Sequence, residues 1–173
     1  AMPGGGFARE FVDLHMMPHL ATLLARGIRV VANAGGVDPA GCAEALREAA
    51  HAAGLEARVA HVAGDDLRGR VDELRARGCA DMFDGRAFPG AVESINAYLG
   101  AFPIAAALDL GADIVIVGRS VDSAVTLGPL IHEFGWRPEQ HDLLAAGTLI
   151  GHLIECGTQV TGGTFTDWRE VPD

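Results

Sequence analysis

His152 and Cys156 stand four residues apart, with Glu155 between them, in a run whose apolar spacing predicts a helix over 139–156. Four residues on a helix share one face. A thiol beside an imidazole suggests a nucleophile with its base, or two ligands of a metal ion. No second ligand pair stands at metal spacing, so no metal site is expected. The competing reading of Cys156 is a buried structural cysteine, because the dipole near a helix C-terminus raises a thiol pKa. Arg119 and Asp122 lie in GRSVD, directly after the apolar segment DIVIV at 113–117. A guanidinium there suits bidentate capture of a carboxylate or phosphate. Asp122 suits a base, a group that orients Arg119, or the N-cap of the next helix, the commonest job for an Asp so placed.

Gly35 and Gly36 precede Asp38-Pro39, a helix-start signal. Free backbone N–H groups in such a turn would hold a ligand phosphate or carboxylate. A turn that needs positive φ explains the same two glycines. The pattern is not G-x-G-x-x-G, and Asp65 follows too late for the acidic residue of a dinucleotide fingerprint, which comes about twenty residues on. Asn33 and Asn96 are the only asparagines in the chain. Each falls at a predicted strand end, where an amide either holds a ligand carbonyl or fixes its own loop. Cys42 lies near a helix N-terminus, which favours a thiolate, but on the apolar face, so it reads as core. His132-Glu133 ends a helix and reads as solvent-facing.

The elements that must position these groups alternate regularly. Strands are predicted at 28–33 (IRVVAN), 57–63, 94–99 (SINAYL) and 113–117. Helices are predicted at 11–17, 18–27, 39–53, from Asp65 or Asp66 to about Gly78, at 103–111, at 123–134 and at 139–156. Residues 1–10 read as a loose, Gly-rich segment with Ala1-Met2 as a tag remnant, and 11–173 as one α/β domain. Strand, helix, strand in repetition implies right-handed crossovers and a Rossmann-like three-layer fold with a mostly parallel sheet. In such sheets ligands sit beyond the carboxyl ends of the strands. The turns 33–36, 64–66, 96–100 (which holds Tyr98) and 118–122 are therefore expected to gather around one crevice.

Composition narrows the chemistry. The chain has 173 residues, 49% of them hydrophobic, enough for a core. Its 13 cations are all arginine, so Schiff-base chemistry and a P-loop lysine are excluded. A net charge of -10 argues against nucleic acid. No unbroken apolar run approaches the roughly 20 residues of a membrane span, and no signal-peptide pattern opens the chain. Three cysteines at unrelated spacings point to a reducing, cytoplasmic setting.

Several strings carry a resemblance. They are IRVVANAGG with Pro39 at 28–39, NAYLGAFPI at 96–104, GADIVIVGR with Asp122 at 111–122, LGPLIHEFGW at 127–136, and AGTLIGHLIECGTQVTGG at 146–163 with Asp167-Trp168-Arg169. In this order they resemble the N-terminal domain of the acyclic terpene utilisation A (AtuA-like) family, from about Phe7 onward. The resemblance implies a cytoplasmic bacterial protein acting beside acyl-CoA enzymes on citronellol- and geraniol-like branched acids. It also implies relatives in natural-product pathways, including sulfur insertion. It carries over no catalytic motif. Family members are longer at both ends, so the chain is expected to be a fragment or a trimmed relative, with an incomplete sheet.

Three readings follow. One is an enzyme of the hydrolase, lyase or hydratase type on a branched acid or its CoA thioester. Asp122, His152 and Cys156 would be its catalytic candidates, and Asn33, Gly35, Gly36, Asp65, Asn96, Tyr98 and Arg119 its ligand-binding ones. The second is an acyl or sulfur transferase using Cys42 or Cys156. The third is a non-catalytic module that binds acyl-CoA or partner proteins. All three expect a small-molecule acyl ligand (acyl-CoA as candidate substrate), no cofactor, no nucleic acid, no membrane, and a homo-oligomer.

Overall fold

The computed structural model describes residues 6–170. A π-helical turn at Phe11–Met16 leads to α1 (Leu20–Ala25), β1 (Val30–Ala32), α2 (Pro39–Ala52), β2 (Val59–Val62), α3 (Val71–Ala76), α4 (Phe102–Asp109), β3 (Ile114–Val117), α5 (Ala124–Phe134) and α6 (His141–Cys156). The three strands form one all-parallel sheet in the order β1-β3-β2. The fold is Rossmann-like α/β in three layers.

β3 is the central strand, and its four residues are apolar and all buried, as a strand covered on both faces requires. Successive side chains point to opposite faces. Ile114 and Ile116 pack with Leu20, Cys42 and Leu46 of α1 and α2 on one face. Val115 and Val117 pack with Ile104 and Leu108 of α4 and with Ala124 and Ile131 of α5 on the other. α2 starts where Asp38 accepts a hydrogen bond from the Gly41 N–H at 2.9 Å, with Pro39 pre-set at the first helical position.

Two expectations are corrected. Residues 94–99 are not a strand. They form a strap across the strand ends, bridging antiparallel to Asp66 through Asn96 and parallel to Ser120 through Leu99. Pairing in opposite senses at its two ends prevents the segment from joining the sheet, which therefore has three strands and not four. The segment 1–10 is not loose where it is described: the Gly6 carbonyl accepts from the Val37 and Asp38 N–H groups at 2.7 and 3.2 Å, and Phe7 packs on the core. Residues 1–5, including the expected tag remnant, lie outside the described residues, as do 171–173.

α6 lies on α5, seated through glycines. A Cβ on Gly147 would come within 2.7 Å of a Leu127 methyl and 2.8 Å of the Trp136 ring. Counting unbroken apolar runs overlooked one feature: the helical stretch His141–Thr161 is long and apolar enough to cross a membrane, and very little of it is buried. Asp142, His152 and Glu155 interrupt the run without removing its apolar character.

Candidate functional site at the strand ends

The chain leaves β1 toward α2 on one face and β3 toward α5 on the other. The turns after these adjacent strands therefore part, which is where a parallel sheet opens a crevice. Gly118 is the point where three turns touch. A Cβ there would lie 3.0 Å from the Asp65 carboxylate, 3.0 Å from the Gly36 carbonyl and 3.3 Å from Pro39.

Asp65 ties the turns together. It is 3% exposed. One carboxylate oxygen accepts from the Asn96 amide at 3.0 Å and from the Arg119 N–H at 3.2 Å. Its backbone carbonyl accepts from the Ala97 N–H at 2.8 Å. Asn96 thus fixes the strap to Asp65, the loop-holding alternative read from the sequence. Leu99 continues the tie: its N–H donates to the Arg119 carbonyl at 3.1 Å, and its carbonyl accepts from the Val121 N–H at 3.0 Å.

Arg119 points outward. Its guanidinium donates to the Tyr98 hydroxyl at 2.7 Å and lies 5.1 Å from the centre of the Tyr98 ring. Tyr98 is 64% exposed. Among the described residues Arg119 makes no ion pair, so its charge faces solvent beside an aromatic wall. Ser120, next to it, has a buried hydroxyl with no hydrogen-bond partner. Sequence reading missed Ser120, because burial of one hydroxyl in a polar loop leaves no mark in the residue pattern.

The Gly35-Gly36 turn differs from its expected role. Its N–H groups are not free: Gly35 donates to the Val117 carbonyl at 3.1 Å, Gly36 to Asn33 at 3.3 Å, and Val37 and Asp38 to Gly6. The Asp38 carboxylate already occupies the α2 N-terminus. An anion has no donors to claim there. The glycines serve close packing instead. A Cβ on Gly35 would sit 2.7 Å from both Pro39 and the Val117 carbonyl, and Gly36 has φ +55 beside the Gly6 carbonyl. Asn33 is exposed at the rim of this turn.

Asp122 does not cap α5. The N-cap is Ser123, without a side-chain bond, and Asp122 is exposed. α6 crosses directly over this loop: a Cβ on Gly151 would meet the Ser123 carbonyl at 2.8 Å and the Ser123 Cβ at 3.1 Å. That seat leaves Cys156, one turn further on, close enough to the loop to feel the Asp122 charge. The Cys156 Sγ lies 3.5 Å from His152 Nε2 and 3.5 Å from a Glu155 carboxylate oxygen, to which it donates. Cys156 is half-buried, not buried as its structural reading required. Desolvation, the Glu155 hydrogen bond and the charges of Glu155 and Asp122 all hold its thiol above the ordinary cysteine pKa. Cys42 is fully buried, and burial together with the Asp38 charge pushes its thiol up to about 11. Neither is an activated nucleophile in this state.

His132 does not face solvent. It is held between the Asp109 carboxylate and the Arg29 guanidinium, with Glu133 also near Arg29. Arg29, His132 and Glu133 border a cavity of about 580 Å³ with Val31, Leu108 and Pro129. Another, of about 520 Å³, lies between β2 and α4, lined by His61, Val62, Pro103, Ala106 and Leu110. Neither cavity touches the rim residues. The rim is an open shelf whose chemistry comes from its polar side chains and not from enclosure. Among the described residues no three His, Cys, Asp or Glu groups approach closely enough to hold a metal ion.

No curated protein and no solved structure matches the chain. A family model does, over residues 1–173, and its description is Acyclic terpene utilisation family protein AtuA. The chain thus belongs to the acyclic terpene utilisation family.

Proposed function

We propose that this protein is an enzyme of branched terpenoid acid metabolism that works in the bacterial cytoplasm on an acid or its CoA thioester, by hydrolase, lyase or hydratase chemistry. Arg119, held by the Tyr98 hydroxyl, binds the ligand's carboxylate or phosphate, and Asp122 and His152 move protons. The observation that carries this reading is an Arg119 guanidinium without an ion pair among the described residues, three residues from the exposed Asp122 carboxylate, in a loop on which α6 is seated through Gly151 and Ser123. Family membership supports the substrate class. Asp65, Asn96, Gly35 and Gly36 hold the shelf in shape without touching the ligand.

The test is turnover of geranyl- and citronellyl-type CoA thioesters. Arg119→Ala is expected to lower kcat/KM by on the order of a hundredfold, the loss of one charge-assisted bidentate contact. Its thermal midpoint should move by only a few degrees, since the side chain is exposed. An unchanged kcat/KM removes Arg119 from the site. A second reading, a cysteine-dependent acyl or sulfur transferase, draws on the 3.5 Å approach of Cys156 to His152. It requires substrate binding to lower a thiol pKa that the free protein raises. Full activity of Cys156→Ser and Cys42→Ser variants excludes it.

A further inference from the structure

We propose that the exposed face of α6 is the contact surface for a second copy of this chain. α6 has two apolar faces. One is spent: Leu144, Gly147 and Gly151 lie on α5, Trp136 and Ser123. The other carries Leu143, Ala146, Ile150 and Leu153, spaced 3-4-3, the a/d seam of a helix that packs along another helix. Leu149 and Ile154 flank the seam. The large side chains of this face are 40–64% exposed. Five large apolar side chains left open along one helix face make a patch of about 300–600 Å², the largest a monomer ordinarily carries, and they form the centre of an interface that buries about 800 Å² on each partner.

Charge selects the occupant. With 23 acidic groups against 13 basic ones, two copies repel each other over most approaches. The seam carries no charge between Asp142 and Glu155. Asp142, four residues before Ala146, borders this face at one end, so two copies can meet over its middle, from Leu143 to Ile154, without bringing carboxylates together. A lipid surface is the poorer partner. Helices that lie on membranes carry Lys or Arg on their polar face, whereas α6 has neither, and its polar positions include Asp142, Thr148, His152 and Glu155. Two-fold pairing of α6 on α6 is isologous, since each copy offers the same patch. Cys156 follows Leu153 by three residues and borders the seam, so the mate's helix would wall the open side of the shelf. The pairing does not depend on which reaction the shelf supports.

Analytical ultracentrifugation of the full chain, from low to high micromolar, tests it. The wild-type protein is expected to sediment at twice its 18.0 kDa mass, and to hold together better as salt rises and screens the acidic surface. Ile150→Glu with Leu153→Glu is expected to weaken association by about a hundredfold, because each copy then brings carboxylates into an apolar seam. Its far-UV spectrum should be unchanged, since neither side chain faces α5. Ile154→Lys, at a flanking position, should weaken pairing less and serves if the double variant unfolds. A wild-type protein that stays monomeric at high micromolar overturns the proposal, as does a folded double variant, or Ile154→Lys in its place, that pairs as tightly as the wild type. A monomer that floats with phosphatidylglycerol-containing vesicles overturns it in favour of a lipid surface.

Discussion

Asp65→Ala is expected to destabilise the protein by about 3 kcal/mol, the scale for removing a buried acceptor that serves two donors. In a chain of 173 residues that corresponds to a thermal midpoint lower by roughly 10 °C. The reasoning rests on what the substitution strands. Asp65 is almost wholly buried, and one of its oxygens accepts from both the Asn96 amide and the Arg119 N–H. Alanine leaves both donors without the acceptor they share. Asn96→Ala should cost much less, about 1 kcal/mol, because Asp65 keeps its bond to Arg119 and a single hydrogen bond is lost. Urea denaturation of the two variants measures the contrast. Equal effects would mean that Asp65 and Asn96 act only as a pair. A loss under 0.5 kcal/mol for Asp65→Ala would place it among ordinary surface substitutions and contradict its role as the tie between turns.

Gly151→Leu is expected to damage the site more than the fold. Removing a mid-helix glycine returns about 0.8 kcal/mol of helix propensity. The new side chain meets the Ser123 backbone, which a Cβ alone would approach to 2.8 Å. Overpacking of that kind costs typically 1–3 kcal/mol. The net loss of stability is therefore small, while α6 is lifted from the 118–123 loop. His152 and Cys156 move with it, and an ångström of misplacement is enough for about a hundredfold loss of activity. Thiol chemistry supplies a readout independent of turnover. Desolvation and the Asp122 charge are two of the effects that raise the Cys156 pKa. Lifting α6 relieves both, so the thiolate fraction at neutral pH rises and Cys156 should react faster with a disulfide reagent than in the wild type. An unchanged rate in a folded variant would show that α6 does not depend on this seat.

Local features were legible where a single stretch of sequence decides them. The uninterrupted IVIV of β3 marks a strand covered on both faces. Asp38, Pro39 and Gly54 bracket α2 to within two residues. The gathering of the 33–36, 64–66 and 118–122 turns follows from parallel strands, whereas 96–100 joins them as a strap bridged to Asp66 and Ser120 and not as a strand end. What was not legible depends on partners distant in sequence. The Gly35-Gly36 turn reads as a set of free donors until Gly6, some thirty residues earlier, takes two of them. The segment 94–99 has strand composition, but its partners run in opposite senses, and no local pattern encodes that. His132 reads as a solvated helix end until Asp109 and Arg29 close around it. Asp122 sits where a cap would be, yet α5 begins at Ala124 and leaves its carboxylate uncommitted.

A ligand held by the strand-end turns and α6 must perturb both together. A two-dimensional amide NMR titration of the chain with a geranyl-type CoA thioester reads this residue by residue. Saturable shifts are expected at the amides of Asn96, Tyr98, Arg119, Ser120 and Asp122 and along the end of α6 at His152 and Cys156. Shifts confined to the apolar cavity between β2 and α4, around His61, Ala106 and Leu110, would contradict binding at the strand ends.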